Sequence, residues 1–328
     1  MRSAARFVPC LAALVALPLA LSLAGCTTAK SLAIGLFYNE ARLPSANVVR
    51  DLAYVEGPGA DAARHRLNLF VPLADPVRGE RPWPVVVFIH GGGWTEGSKD
   101  YAFGDADVYN NVGRFLARHG VGAAVISYRL MPGVTWREQN ADAARAVAWT
   151  RAHVGAYGGD PADVFVMGHS AGAQLATRVA LDPALRAVAG DVCGAIPVSG
   201  AALDLTDRET YALEDNFDYY SARFSDDRVA RAAPPATPFP WQTEASPIRF
   251  AGPTAPPFLI LYAGAETEAL QRQSRLLDAA LRAAGASSRV VVVPGQSHER
   301  VVLTLSRPDR TSGPAILDFV RTRAAACR

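Results

Sequence analysis

A serine flanked by glycines is the first group in this chain that could do chemistry. Residues 168–172 read Gly-His-Ser-Ala-Gly, which fits the pattern G-x-S-x-G with Ser170 at its centre. Four apolar residues precede it, and an Ala- and Leu-rich stretch at 171–181 follows it. Strand, tight turn and helix are the context in which this pattern exposes a nucleophilic hydroxyl. The sequence therefore predicts a serine hydrolase with Ser170 as nucleophile; the alternative is a Gly-rich turn whose serine caps the helix.

Acyl transfer also needs hydrogen-bond donors for the negative charge of the tetrahedral intermediate. Residues 90–94, His-Gly-Gly-Gly-Trp, follow an apolar run directly. Consecutive glycines let backbone N–H groups converge on one oxygen atom. We expect the N–H groups of Gly92, Gly93 and Ala171 to form this oxyanion hole. The alternatives are a flexible loop or a phosphate-binding loop, and the latter is disfavoured because Ser98 stands where a P-loop has its lysine.

The general base is expected to be a histidine that follows the serine and the acid in the chain. Of the six histidines, only His298 follows Ser170. The acid should come after the apolar run at 258–262, where Glu266 and Glu268 are both available. Glu266 is preferred because it lies nearer to the end of that run, and Glu268 is the alternative. The acid would hold His298 in the required tautomer and stabilise its charged form.

Strands that alternate with helices must position these residues. The predicted strands lie at 85–89, 121–128, 164–167, 190–198, 258–262 and 289–293, after an entry hairpin at 54–71. The predicted helices lie at 105–119, 140–154, 171–181, 271–284 and 314–325. The alternation predicts an α/β fold with a mostly parallel sheet and a site at the carboxyl ends of its strands. His90 and His169 also follow strands, where we expect them to shape loops rather than to move protons.

The segment 201–250 interrupts this alternation because it carries no clear strand. Its aromatic residues argue against disorder, and a long irregular segment is usually functional. We predict a partly helical cap insertion over the site, with a surface excursion as the alternative. The cap's aromatic side chains would suit an apolar substrate, although packing within the cap explains them equally well. These residues are Tyr211, Phe217, Tyr219, Tyr220, Phe224, Phe239 and Trp241.

The first 25 residues have the pattern of a signal peptide. Arg2 and Arg6 precede an apolar run, and Leu-Ala-Gly then leads to Cys26. This ending resembles the bacterial lipobox, which implies that Cys26 is lipidated and becomes the first residue of the mature protein. The resemblance, with Thr27 next, implies a lipoprotein of the bacterial cell envelope, anchored to the outer membrane and facing the periplasm or the exterior. Membrane attachment is then expected through the lipid. The alternatives are an ordinary secretory signal and a transmembrane anchor, for which the apolar run is short.

Composition suits one large globular domain or two small ones. The chain has 328 residues, of which 50% are hydrophobic and 20% charged. We assign residues 26–50 to an N-terminal linker, with a short helix at 31–38, and 51–328 to the hydrolase domain. The formal net charge of +2 falls to zero if the two arginines of the leader are removed. A neutral surface offers no electrostatic basis for binding nucleic acid, and the oligomeric state is left open.

Two of the four cysteines lie outside the leader and the lipobox, namely Cys193 and Cys327. They could form a disulfide in an oxidising compartment. A buried thiol is the preferred prediction for Cys193, because the residues around it read as a buried strand. The chain contains neither C-x-x-C nor H-E-x-x-H, so the sequence indicates neither a thiol redox site nor a zinc protease.

Taken together, the chain resembles the esterase and lipase group of the α/β-hydrolase superfamily, close to hormone-sensitive-lipase-like and feruloyl-esterase-like carboxylesterases. This resemblance implies an eight-stranded, mostly parallel sheet flanked by helices, no cofactor or metal, a small-molecule ester substrate and an acyl-enzyme intermediate. The chain is also similar to kynurenine-formamidase-like members around 266–274 and to prenylcysteine methylesterases around the serine. An arylformamidase or amidase, and a non-catalytic binding lipoprotein, are therefore the alternatives. The matching segments are 90–94, 127–130, 157–161, 168–172 and 297–298.

Overall fold

The computed structural model describes residues 38–73, 82–103, 106–226, 234, 236–307 and 311–327. The predicted signal peptide, Cys26 and all of the predicted helix at 31–38 except Tyr38 lie outside the described residues. Within the described ranges, no helix is both long enough and apolar enough to cross a membrane.

Eight strands form the central sheet in the order β1-β2-β6-β3-β7-β8-β9-β10, and β4 pairs with β5 in a separate two-stranded ribbon. Strand β2 is antiparallel to both of its neighbours, and the strands from β6 to β10 are parallel. The strands are β1 (Val48–Ala53), β2 (Arg66–Phe70), β3 (Trp83–Ile89), β4 (Ala102–Phe103), β5 (Ala106–Asp107), β6 (Gly122–Ile126), β7 (Gly159–His169), β8 (Gly194–Val198), β9 (Phe258–Ala263) and β10 (Ser288–Val293). This is the α/β-hydrolase fold that the resemblance implied.

The described helices are α1 (Val108–Arg118), α2 (Trp136–His153), α3 (Ala171–Leu181), α4 (Pro183–Ala189), α5 (Arg208–Leu213), α6 (Phe217–Phe224), α7 (Pro240–Ala245), α8 (Glu268–Ala283), α9 (Arg300–Leu303) and α10 (Ser312–Cys327). Short 3₁₀ helices lie at Ser45–Asn47, Val154–Tyr157 and Pro247–Phe250. Helix α2 begins with a capping box, in which the hydroxyl of Thr135 accepts from the backbone N–H of Glu138 and the Glu138 carboxylate accepts from that of Thr135.

Strand β3 shows why five consecutive apolar residues predict a strand that is covered on both faces. Its side chains alternate between two hydrophobic clusters, one on each side of the sheet. Val86 and Phe88 belong to one cluster, whereas Val85, Val87 and Ile89 belong to the other. The central strands are therefore held rigidly, and their carboxyl ends form a firm base for loops.

Several predicted boundaries differ from the structure, among them the following two. The sheet begins at Val48, before the entry hairpin predicted at 54–71, because β1 pairs antiparallel with β2 ahead of the predicted turn. The strand predicted at 190–198 begins only at Gly194, because helix α4 runs to Ala189 and ends at Gly190 in a positive-φ conformation. Neither shift moves a proposed site residue.

The prediction of a free thiol at Cys193 is wrong, because Cys193 and Cys327 form a disulfide with a Cα–Cα distance of 5.7 Å. The prediction considered only the apolar surroundings of Cys193, which is indeed buried. Helix α10 crosses the same face of the sheet, where Phe319 packs on Phe165 of β7, and its last residue is Cys327. Joining residues 134 positions apart restricts the unfolded chain, which is worth about 2–4 kcal/mol of stability.

Candidate active site

Ser170 lies at a sharp turn between strand β7 and helix α3. Its backbone has φ +56° and ψ −119°, a strained conformation for a residue with a side chain. The glycines on either side of it allow neighbouring backbone segments to approach each other closely. A Cβ at Gly172 would lie 2.2 Å from the carbonyl oxygen of Ile89, and one at Gly168 would lie 2.1 Å from that of Gly172. The turn therefore brings the helix N-terminus directly against strand β3 and raises Ser170 above the sheet edge.

Three of the predicted residues meet at this edge. The Nε2 atom of His298 lies 2.9 Å from the Oγ of Ser170. The Nδ1 atom of the same ring lies 3.0 Å from Oε2 of Glu266. The side chain of Glu266 is fully buried, whereas that of His298 is 22% exposed. A hydroxyl, an imidazole and a carboxylate thus stand in one hydrogen-bonded row, although they are far apart in the chain.

The loop after β9 determines which carboxylate reaches the histidine. The N–H of Ala265 donates to the Gln296 carbonyl at 2.9 Å, which ties this loop to the one that carries His298. Glu266 therefore points inward. Glu268 instead begins helix α8, where it is exposed and forms an ion pair with Arg275. The geometry selects Glu266 over Glu268 as the partner of His298.

His169 contacts the backbone of His298, in keeping with the expectation that it shapes a loop. Its Nε2 lies 2.8 Å from the carbonyl oxygen of His298, and the two rings are 4.9 Å apart. Burial, together with the nearby His298, lowers the pKa of His169 to about 3. The ring is therefore neutral at physiological pH, and because a carbonyl only accepts, Nε2 carries the proton and donates it.

The glycine loop at 91–94 is held through its carbonyl groups. The Gly91 carbonyl lies 2.6 Å from Nδ1 of His90. The Gly92 carbonyl accepts from the N–H groups of Thr95 and Glu96, at 3.2 and 3.0 Å. In a trans peptide the C=O and the N–H point in opposite directions. Fixing these two carbonyls therefore fixes the N–H groups of Gly92 and Gly93.

Those N–H groups are available to a ligand. Among the described residues, neither Gly92 nor Gly93 donates its backbone N–H to a protein acceptor. Ala171 is the first residue of helix α3, so its N–H has no acceptor within the helix. Its position adds the positive end of the helix dipole. Within the described residues, the glycine loop and the first turn of α3 thus offer three backbone N–H groups that have no protein acceptor.

His90 is buried and lies stacked on Tyr128, with ring centroids 4.3 Å apart. Burial lowers its pKa to about 4, so the ring is neutral. A neutral imidazole has one N–H, and the close Gly91 carbonyl assigns that proton to Nδ1. His90 therefore hydrogen-bonds to the glycine loop as an uncharged ring.

The segment 201–250 covers this loop. In its described part it forms helices α5 to α7 and a 3₁₀ helix, and it contains no strand. Trp94 packs edge-on against Phe224 and Tyr220 of helix α6, with centroids 4.9 and 6.2 Å apart. Phe217 and Trp241 extend the same apolar cluster. The aromatic residues that marked the segment in the sequence therefore serve mainly to pack the cap onto the glycine loop.

Two cap residues at this contact were not predicted as part of the site. The Nε of Arg223 donates to the carbonyl of Gly93 at 3.0 Å, and the phenol oxygen of Tyr219 lies only 2.5 Å from the position that a Cβ at Gly93 would take. Tyr219 stood among the aromatic residues of the cap, but nothing distinguished it from the others. Arg223 carried no signal, because its partner is 130 residues away in the chain.

The fold and this row of side chains define an α/β hydrolase. The chain belongs to the alpha/beta hydrolase fold family, whose model matches residues 86–302. The matched stretch contains the glycine loop, the serine turn, the cap and the histidine.

Two curated relatives are similar over part of their length. "Esterase LipQ" of Mycobacterium tuberculosis is 32% identical over 244 residues, which cover 72% of this chain and 55% of that protein. "Probable isoprenylcysteine alpha-carbonyl methylesterase ICME" of Oryza sativa subsp. japonica is 36% identical over 158 residues, which cover 48% of this chain and 33% of that protein. The chain thus spans about a third to a half of the length of these relatives.

Solved structures share the fold over almost the whole chain. Esterase B from Lactobacillus rhamnosis has a TM-score of 0.67 at 21% identity, with 93% of each chain covered. The hyperthermophilic esterase from the archaeon Pyrobaculum calidifontis has a TM-score of 0.62 at 21% identity, again with 93% of each chain covered. At this level of identity the likeness concerns the fold.

Proposed function

We propose that the protein is a serine carboxylesterase. The observation that carries the proposal is the row from Ser170 to His298 to Glu266, with donor–acceptor distances of 2.9 and 3.0 Å. Beside this row lie backbone N–H groups that donate to no protein acceptor within the described part of the chain. The esterase names of the curated relatives support the same reaction class.

In the proposed mechanism, Ser170 Oγ attacks the carbonyl carbon of the ester while its proton passes to Nε2 of His298. The buried carboxylate of Glu266 stabilises the imidazolium through Nδ1. The carbonyl oxygen becomes an oxyanion, which the N–H groups of Gly92, Gly93 and Ala171 bind. His298 then gives its proton to the departing alcohol, and the acyl group stays on Ser170. Water, activated by the same histidine, releases the acid and restores the serine.

A comparison of bond types tests this proposal. The purified full chain is expected to hydrolyse p-nitrophenyl esters, from acetate to palmitate, with a higher kcat/KM than an aryl formamide of similar size. The esterase names of the curated relatives are the reason for this expectation. A higher kcat/KM for the formamide would favour an amidase. Failure of every ester and of the formamide would instead favour a non-catalytic binding protein.

We also propose that the protein is anchored in the bacterial cell envelope through a lipid on Cys26. The Cys193–Cys327 disulfide supports export, because disulfides persist in oxidising compartments. In a Gram-negative host fed labelled palmitate, the wild-type chain should take up label and sediment with membranes. The variant Cys26→Ser should do neither, whereas the control Cys10→Ser, within the leader, should behave as wild type. Label that persists in Cys26→Ser would contradict the proposal.

A further inference from the structure

The phenol of Tyr219 lies against the glycine loop without a hydrogen-bond acceptor of its own. A Cβ at Gly93 would lie 2.5 Å from the phenol oxygen, so the hydroxyl occupies space that a side chain at position 93 would need. Gly93 itself has φ +56°. Among the described residues, the hydroxyl of Tyr219 donates to no protein group, and the residue is 39% exposed, which leaves the phenol accessible. The hydroxyl is therefore a free donor beside Gly93, one of the proposed oxyanion donors.

Arg223 holds the tyrosine and the loop together. Its guanidinium lies over the Tyr219 ring, 3.4 Å from the centroid, and its Nε donates to the Gly93 carbonyl at 3.0 Å. Tyr219 and Arg223 are four residues apart on helix α6, so they share one face of that helix. A single side chain thus sets the distance between the phenol and the peptide of Gly93.

Protonation favours the phenol as a donor. Burial raises the pKa of Tyr219 above its usual value, and the charge of Arg223 offsets this rise only in part. The hydroxyl therefore keeps its proton at neutral pH. A hydroxyl that keeps its proton and, within the described residues, donates it to no protein acceptor suits a hydrogen bond to an oxygen atom of a bound substrate.

We propose that the cap completes the oxyanion site: the Tyr219 hydroxyl donates a hydrogen bond to the substrate carbonyl oxygen as it becomes negative, and Arg223 is the positioning residue that fixes Tyr219 against Gly93. The proposal rests on the serine-esterase function above. It makes the cap part of the reaction rather than a cover alone, and it accounts for the glycine at position 93, since any side chain there would displace the phenol.

The test compares Tyr219→Phe with Tyr220→Phe, which removes a hydroxyl one residue away on the same helix. Tyr219→Phe is expected to lower kcat for p-nitrophenyl butyrate by about tenfold or more, since loss of one oxyanion donor typically costs 10²–10³, with KM within about twofold. It should also weaken inhibition by an alkyl trifluoromethyl ketone by a similar factor. In that adduct Ser170 Oγ bonds to the ketone carbon, its proton passes to His298, and the ketone oxygen becomes the oxyanion. Tyr220→Phe should change neither quantity.

The Arg223 variants separate positioning from folding. Arg223→Met should lower kcat in the same direction as Tyr219→Phe, and Arg223→Lys, which keeps a donor for the Gly93 carbonyl, should recover part of the loss. Thermal melting of each variant shows whether the cap still folds.

Wild-type kcat in Tyr219→Phe would overturn the proposal. So would a loss of kcat without any loss of affinity for the ketone, because the phenol would then not contact the oxyanion. Ser170→Ala, assayed in the same experiment, distinguishes failure of the proposed function from failure of this inference. If Ser170→Ala keeps its activity, the proposed function fails; if only Tyr219→Phe is without effect, the function stands and this inference fails.

Discussion

Replacing Ser170 with alanine is expected to lower kcat for ester hydrolysis by about 10⁴-fold or more, because the attacking oxygen is removed and the remaining groups act only on bound substrate. KM should change little, since the hydroxyl contributes to the transition state rather than to binding. The measurement is kcat and KM on p-nitrophenyl butyrate.

A second substitution at the same position controls for folding. Ser170 has φ +56°, a conformation that strains every residue with a Cβ. Ser170→Gly should therefore be as inactive as Ser170→Ala and melt at a higher temperature, because glycine adopts this conformation without the strain. If both variants are inactive and Ser170→Gly is more stable than wild type, the loss of activity is due to removal of the hydroxyl oxygen and not to unfolding. Activity above about one percent of wild type in either variant would contradict the role of Ser170.

Replacing Glu266 with glutamine is expected to lower kcat by about 10³-fold. Large losses of this kind follow when the acid of a serine–histidine–acid triad is replaced by its amide. A neutral amide cannot stabilise the imidazolium, and its NH₂ group can turn toward Nδ1 and favour the wrong tautomer. The effect should be large because the carboxylate is fully buried, and its Oε1 makes no hydrogen bond within the described residues. Within the described residues, the Glu266 carboxylate thus directs its hydrogen bonding to His298.

The chain offers a matched control two residues away. Glu268→Gln removes the same charge from the same loop, but Glu268 is exposed and pairs with Arg275 at the start of helix α8. The substitution removes a helix-terminus interaction of about 0.3–1 kcal/mol and an exposed ion pair, neither of which touches His298, so kcat should stay within about twofold. Equal losses in Glu266→Gln and Glu268→Gln would mean that the loop as a whole is responsible. A loss confined to Glu268→Gln would exchange the two assignments.

Features that depend on local pattern could be predicted from the sequence. The strand, turn and helix around Ser170 follow from apolar runs and from glycines at fixed spacing. The order of serine, acid and histidine along the chain pointed to His298. That order also limited the acid to one short loop, and the structure places its first carboxylate, that of Glu266, against the histidine.

Features that depend on contacts between distant segments could not be predicted. The disulfide required knowledge that α10 ends beside Cys193, 134 residues earlier in the chain. The hydrogen bond from Arg223 to the Gly93 carbonyl joins residues 130 positions apart and uses a residue type that is common on helix surfaces. Aromatic composition indicated that a cap exists, but it could not show which ring faces the glycine loop and which rings fill the interior of the cap.

Covalent labelling of the full chain tests the central claim most directly. Incubation with a fluorophosphonate, followed by intact mass measurement and peptide mapping, should show one adduct on Ser170, because the row from Glu266 to Ser170 activates that oxygen alone. The label should be absent in Ser170→Ala, and its rate of formation should fall in Glu266→Gln. A chain that hydrolyses esters while Ser170 stays unlabelled, or whose adduct lies on another residue, would contradict the account.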